Sequence, residues 1–153
     1  MSRWTEFLRT LAAYAERFDQ HVGRPCRVLL VDDECAICRF GERVLGHAGY
    51  GVTSVTDSIE ALRKFDDEGP FDVLVTDFHM PQMDGAELAR HLRARTPDVK
   101  VLYITGYADA LFQKKERLWM NEAFLEKPCS PAGLLQAVAM LLQENRVQRT
   151  AWV

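Results

Sequence analysis

The chain has 153 residues, 48% of them hydrophobic and 27% charged, with a formal net charge of −3 at pH 7. This size predicts one domain whose core needs neither a disulfide nor a structural metal to hold it together. The scattered lysines and arginines argue against nucleic-acid binding, and the lack of a ~20-residue apolar run or a signal-peptide core predicts a cytoplasmic protein without a membrane span.

The first predicted element is an amphipathic helix over residues 4–18. Its apolar residues recur at helical spacing and form one stripe, made of Trp4, Phe7, Leu8, Leu11, Ala15 and Phe18. Gly23 to Pro25 ends the helix and provides a hinge. The stripe is too large to remain in water, and three interpretations stay open. It packs on its own chain, pairs with a second copy to give a homodimer, or docks on a partner protein.

From Cys26 onward, short apolar runs alternate with helical patterns, which indicates βαβ units and a parallel sheet. The predicted strands cover residues 26–31, 52–55, 71–76, 99–104 and 123–126. The predicted helices cover residues 35–47, 58–68 with Ser58 as N-cap, 86–96, 109–119, and 131 to about 143. Five strands therefore alternate with helices.

Polar side chains stand where four of these strands end. Asp32 and Asp33 close the first strand, Asp77 closes the third, Thr105 the fourth and Lys127 the fifth. The carboxyl ends of strands in an open α/β sheet form its ligand crevice, so we expect the fold to gather these residues. Carboxylates suit a hard divalent cation, whereas a lysine and a hydroxyl suit a phosphoryl group. The pocket is predicted to accept a phosphoryl group with the help of Mg²⁺.

Cys35 and Cys38 form a C-x-x-C pair, which invites a redox or a zinc interpretation. No second pair of zinc ligands follows at suitable spacing. The preceding acidic triplet, 32–34, opposes the formation of a thiolate. Reduced and unligated thiols are therefore the favoured interpretation, with a redox or metal role as the alternative.

The chain resembles the receiver domain of bacterial two-component response regulators. The matching segments are Val31-Asp32-Asp33-Glu34, Asp77-Phe78-His79-Met80-Pro81-Gln82-Met83-Asp84-Gly85, Thr105-Gly106 and Lys127-Pro128. The resemblance covers about residues 26–143, leaving 1–25 as a helix and hinge and 144–153 as a C-terminal tail. It implies a flavodoxin-like (βα)5 fold, a doubly wound parallel sheet of five strands in the order 2-1-3-4-5, with the amphipathic helix added at the N-terminus.

The resemblance also implies which residues carry out the chemistry. Asp77 is the expected phospho-acceptor. Asp32, Asp33 and Asp77 would bind Mg²⁺ as cofactor, together with the backbone carbonyl of His79. Because the substrate would be the protein itself, we expect no enzyme in the sense of turnover.

Three further residues are implied to sense the phosphoryl group. Thr105 would hydrogen-bond one phosphoryl oxygen, Lys127 would pair with another, and Phe124 occupies the position of the family's aromatic switch residue. Each also has a purely structural interpretation. Thr105 could be a cap, Lys127 a surface charge and Phe124 an ordinary core residue.

The resemblance implies a histidine kinase or a histidine phosphotransfer protein as partner, and neither nucleic acid nor membrane. Segments 104–111 and 124–128 are similar to receivers at the C-termini of hybrid histidine kinases, which implies phosphate relay. After the last predicted helix, too few residues remain for an output domain. The receiver is therefore expected to act alone or as part of a larger protein.

Alternatives from other classes fit the residues less well. A haloacid-dehalogenase-type phosphatase needs Asp-x-Asp after its first strand, and a dinucleotide-binding domain needs a glycine-rich loop there. The chain has Asp32-Asp33-Glu34 at that point instead. A phosphorylation-independent adaptor on the same fold stays the alternative function.

Overall fold

A computed structural model describes residues 5, 6, 9, 25–106 and 121–150, with the side chains of the last helix described to residue 143. The elements are β1 (Arg27–Val31), α1 (Cys35–His47), β2 (Gly51–Val55), α2 (Ser58–Glu68), β3 (Val73–Asp77), α3 (Gly85–Arg95), β4 (Lys100–Thr105), β5 (Glu122–Glu126) and α4 (Pro131–Thr150). The predicted N-terminal helix falls largely outside these residues, and the predicted helix over 109–119 falls wholly outside them.

The strands form one parallel sheet of five in the order β2-β1-β3-β4-β5. This order confirms the predicted doubly wound, flavodoxin-like arrangement. Every residue of β3 and β4 is buried, as expected for strands that are covered on both faces. The order reverses between β1 and β3, and in such sheets ligands bind beyond the carboxyl ends of the strands at this point.

Two hydrophobic cores lie on opposite faces of the sheet, because successive side chains of a strand point to opposite faces. Leu29, Leu74 and Tyr103 face α2 and α3 in one core, where they meet residues such as Phe65 and Leu88. The other core lies against α1 and α4 and contains Leu30, Val75, Ile104, Leu45 and Leu135. Each fully buried aliphatic or aromatic side chain contributes about 1.5–3 kcal/mol relative to exposure, so these cores supply most of the stabilisation.

The N-cap of helix α2 lies one residue earlier than predicted. Asp57, not Ser58, is the N-cap, and its side chain accepts hydrogen bonds from the backbone N–H groups of residues 59 and 60. Ser58 is instead the first helical residue and is buried. Both residue types suit an N-cap, but the aspartate carboxylate also complements the positive end of the helix dipole.

Helix α4 continues to Thr150, beyond the end predicted near residue 143. No glycine or proline follows residue 143 to stop it, and glutamine, glutamate and arginine favour helix. The stretch predicted as a tail is therefore partly helical. None of the helices in the described part of the chain combines the length and hydropathy that a bilayer crossing requires.

Candidate functional site

The carboxyl edge of the sheet gathers the three predicted acidic residues. Asp32 and Asp33 follow β1 directly, and Asp77 is the last residue of β3. One ligand oxygen of each carboxylate lies within 4.8 Å of the other two. Asp32 and Asp77 are buried, at 1% and 7% exposure, whereas Asp33 is exposed. Two carboxylates of the cluster are thus shielded from solvent, and the third is exposed to it.

Lys127 lies directly against this cluster. Its Nζ is 2.9 Å from Asp32 Oδ2, 3.2 Å from Asp77 Oδ2 and 3.4 Å from Glu34 Oε1. The Lys127 backbone N–H donates to the Thr105 carbonyl at 2.9 Å, which ties the end of β5 to the end of β4. Carboxylates outnumber the single ammonium, and this excess negative charge suits a divalent cation.

The protein environment shifts the pKa values of these groups in a consistent pattern. Burial raises the pKa of Asp32, although hydrogen bonds from Lys127 and the Glu34 N–H oppose the shift. Burial also raises the pKa of Asp77 against the opposing charge of Lys127. Burial lowers the pKa of Lys127, but Asp32 and Asp77 outweigh it, so the net shift is upward. The ammonium stays charged at neutral pH, while the ionised carboxylates carry a penalty that a bound cation would offset.

The loop after β3 is tied closely to Asp77. The Gly85 N–H donates to the Phe78 carbonyl at 2.9 Å, and a Cβ at residue 85 would overlap the Asp77 carbonyl oxygen. Asp84 caps α3 by accepting a hydrogen bond from the Glu87 N–H at 2.9 Å. Glycine is therefore required where α3 begins, because only glycine lets the helix approach the backbone of Asp77 so closely.

Thr105 and Phe124 lie on adjacent strands, Thr105 as the last residue of β4 and Phe124 in the middle of β5. Thr105 is fully buried, whereas Phe124 is 37% exposed. In the register of β4 and β5, Tyr103 pairs with Phe124 and Thr105 pairs with Glu126. Paired positions of parallel strands share a face, so Tyr103, Thr105 and Phe124 all lie on the face covered by α2 and α3. The two residues predicted to form the switch are thus on one face.

Beside this pair lies a buried polar network that sequence analysis missed. The fully buried Glu122 carboxylate is 2.7 Å from Arg93 Nη1 and accepts a hydrogen bond from the Tyr103 hydroxyl at 3.2 Å. Burial, followed by the charge of Glu122, raises the pKa of Tyr103. The hydroxyl therefore stays protonated and donates a hydrogen bond to the carboxylate. The signal in the sequence was a glutamate at the start of the last strand, which looks the same as a surface charge until the register is known.

His79 follows Phe78 in the loop after β3, and its side chain is exposed. The two rings pack edge to face, with centroids 5.1 Å apart. This contact accounts for the position of the imidazole without assigning it a metal. The metal-ligand role of the His79 backbone carbonyl stays a prediction.

The cysteines are free thiols. Cys38 is buried, with its Sγ 3.4 Å from the Asp32 carbonyl and 3.6 Å from the Val55 carbonyl, whereas Cys35 is exposed. Burial raises the pKa of Cys38, which disfavours a reactive thiolate. Within the described ranges, the only group of histidines, cysteines and acids arranged to hold a metal is Asp32, Asp33 and Asp77. The structure therefore gives no support to a zinc site at the C-x-x-C pair.

Comparison with known proteins agrees with this geometry. A family model described as the response regulator receiver domain matches residues 28–139. The sensor kinase CckA of Brucella abortus is 37% identical over 119 residues, which cover 77% of this chain but only 13% of the kinase. The response regulator receiver protein CpdR of the same organism is 34% identical over 116 residues, which cover 76% of this chain and 96% of CpdR.

A solved structure supports the same assignment. The crystal structure of a response regulator receiver protein from Sinorhizobium medicae matches with a TM-score of 0.71 and 31% sequence identity. The match covers 78% of this chain and 96% of that one. The chain thus spans a small fraction of the sensor kinase and almost the full length of the two smaller proteins.

Proposed function

Because this chain belongs to the response regulator receiver family of two-component systems, we propose that Asp77 accepts a phosphoryl group and that phosphorylation switches partner binding. The observation that carries this proposal is the position of Lys127, within 3.2 Å of Asp77 and 2.9 Å of Asp32. Asp32, Asp77 and Lys127, which lie at the ends of three different strands, are thereby removed from water together. Apolar side chains in the same place would avoid this desolvation cost. Such clusters are typical of functional sites.

The acidic cluster supports a requirement for Mg²⁺. Asp32, Asp33 and Asp77 present oxygens close enough together to contact one ion, and carboxylate oxygens are the ligands that Mg²⁺ prefers. When bound, Mg²⁺ supplies positive charge that offsets the charge of the phosphoryl oxygens. The backbone carbonyl of His79 is the further protein ligand in this proposal.

The chain's own residues divide the remaining tasks. An Asp77 carboxylate oxygen attacks the phosphorus, the bond between phosphorus and the donor's histidine nitrogen breaks, and an acyl phosphate forms. Lys127 exchanges a carboxylate partner for a phosphoryl oxygen, and the Thr105 hydroxyl donates to another. Phe124 changes its exposure in response. Because the phosphoryl group is transferred to the protein's own Asp77, the protein acts as a switch and not as a turnover enzyme.

We propose a histidine kinase or a histidine phosphotransfer protein as the donor. The relatives support two contexts for such a receiver, as part of a larger protein or as a separate one. CckA is a sensor kinase of which this chain covers a small part, and CpdR is a receiver protein that this chain almost fully covers. We assign residues 26–143 to the receiver domain, with residues 1–25 and the end of α4 as extensions. Whether residues 4–18 pair two copies is a separate prediction, which the mass in solution at micromolar concentration tests.

Intact mass measurement tests the proposed function. The protein is incubated with acetyl phosphate, with and without Mg²⁺, beside Asp77→Asn and the control Asp66→Asn. Asp66 is a half-exposed aspartate that pairs with Arg95, outside the acidic cluster. We expect one added phosphate in wild type and control only when Mg²⁺ is present, and none in Asp77→Asn. No adduct in the wild type, and no binding of beryllofluoride, would favour the phosphorylation-independent adaptor.

A further inference from the structure

The network of Arg93, Glu122 and Tyr103 plays no part in the phosphoryl pocket described above. The Glu122 side chain is fully buried, and that of Arg93 is 21% exposed. An ion pair of this kind carries a desolvation penalty that a hydrophobic pair of similar volume avoids. Stability is therefore a poor explanation for the network, and its position suggests another.

Tyr103 connects the network to the phosphoryl pocket. It stands two residues before Thr105 on β4 and is fully buried. Its ring packs edge to face on Phe78, with centroids 6.4 Å apart, and Phe78 directly follows Asp77. Through its ring, Tyr103 thus connects the strand that carries Thr105 to the loop that follows Asp77.

Glu122 connects the network to the switch strand. It stands two residues before Phe124 on β5, so both side chains lie on the same face of the sheet. Arg93 pairs with Glu122 from α3, the helix whose first residue packs against the Asp77 backbone. The network therefore spans α3, β4 and β5 on the face where phosphorylation would be sensed.

Tyr103 is also the cross-strand neighbour of Phe124. The tyrosine is fully buried, while the phenylalanine beside it is 37% exposed. Movement of the Phe124 ring toward Thr105 would need space next to the Tyr103 ring. The hydrogen bond to Glu122, which Arg93 orients, holds the tyrosine in place.

We propose that Tyr103 and Glu122 are positioning residues of the switch, whose hydrogen bond favours the conformation with Phe124 exposed and so opposes activation of the resting protein. This inference rests on the proposed phosphorylation of Asp77. A phosphoryl group shifts the equilibrium only by its preference for the other conformation. Weakening the hydrogen bond between Tyr103 and Glu122 therefore raises the population of the conformation that binds the phosphoryl group. The apparent affinity rises by the same factor.

The substitution Tyr103→Phe removes the hydroxyl and keeps the ring. We expect it to tighten beryllofluoride binding in the presence of Mg²⁺ by about fivefold, the order set by one net hydrogen bond. Isothermal titration calorimetry measures the affinity. Glu122→Gln, which keeps the volume but removes the charge facing Arg93, should change the affinity in the same direction.

A second measurement separates switching from loss of packing. Without beryllofluoride, the amide resonances of Thr105 and Phe124 in Tyr103→Phe should move along the line that joins the free and bound positions of the wild type. A general loosening of the core would scatter them off that line. Resonances that stay at the free wild-type positions would overturn the proposal.

Tyr50→Phe is the matched control. Tyr50 is also a buried tyrosine, but it belongs to the core on the opposite face of the sheet. We expect it to bind beryllofluoride as the wild type does. Equal or weaker binding by Tyr103→Phe would overturn the inference while leaving the proposed function intact. A wild type that does not bind, or that binds equally after Asp77→Asn, would overturn both.

Discussion

At the scale of single residues, Lys127 holds one ammonium between two buried carboxylates, at 2.9 Å from Asp32 and 3.2 Å from Asp77. Its side chain is 16% exposed, so the contacts are only partly screened by water. Charge-assisted contacts in such a place are stronger than those on the surface. Under the proposed function, Lys127 would give up one of these carboxylate contacts for an oxygen of the phosphoryl group on Asp77.

Lys127→Met keeps the aliphatic stem and removes the charge. We expect beryllofluoride binding to weaken about tenfold or more, since a hydrogen bond to a charged group contributes roughly 1.5–3 kcal/mol. Calorimetry measures the affinity, and urea unfolding shows whether the fold survives. Lys64→Met, which removes a lysine whose surface partner is Glu68, is the control and should leave binding unchanged. Unchanged binding in Lys127→Met would remove the lysine from the proposed site.

The pKa shifts of the acids predict how stability depends on pH. The pKa values of Asp32 and Asp77 are raised above the ordinary 3.8, so their ionisation opposes folding. Their contribution to the free energy of unfolding is fully present below pH 3.8 and is lost as pH rises through the raised values. Without Mg²⁺, Asp32→Asn should therefore raise the free energy of unfolding at neutral pH.

Urea unfolding with a chelator present measures this effect at several pH values. The gain from Asp32→Asn should shrink toward acidic pH, where the wild-type carboxylate is protonated, and added Mg²⁺ should stabilise the wild type more than the variant. Asp66→Asn, at a half-exposed site, should show neither trend. A gain that does not change with pH would contradict the assignment of the effect to ionisation.

At the scale of elements, the position of the start of α3 depends on the close approach of the Gly85 backbone to the Asp77 carbonyl. Gly85→Ala would force a methyl group onto the Asp77 carbonyl, so we expect a loss of about 1–3 kcal/mol in the free energy of unfolding. Gly46→Ala in α1 is the matched control, because nothing lies within 4 Å of a Cβ there. Alanine should stabilise that helix by about 0.5–1 kcal/mol. Urea unfolding of both variants checks the contrast, and equal effects would contradict it.

The helix and strand boundaries also show what sequence can decide. The strands were predicted to within about two residues. The three central strands are buried apolar runs, and glycine or proline separates most of the elements. The cap of α2 was misplaced because Asp57 and Ser58 are both good N-caps. The end of α4 was placed too early because its last residues form helix without contributing to the apolar pattern.

At the scale of the whole molecule, the acidic site could be predicted from the strand topology, whereas the network of Arg93, Tyr103 and Glu122 could not, because it depends on strand register. Residues that follow parallel strands meet at one edge whatever the details of packing, so Asp32, Asp77 and Lys127 could be placed together from the sequence. The contact of Tyr103 with Glu122 depends on the pairing of β4 with β5. The approach of Arg93 depends on the rotation of α3, and neither quantity is encoded in a local pattern.

The separation of the site residues along the chain has a consequence for protein synthesis. Asp77 leaves the ribosome long before Lys127, and Lys127 takes its place only when β5 joins the edge of the sheet. Under the proposed mechanism, a nascent or truncated chain carries the acceptor carboxylate without the ammonium that completes the pocket. Under the same proposal, full competence to receive a phosphoryl group would therefore arrive only with the last strand.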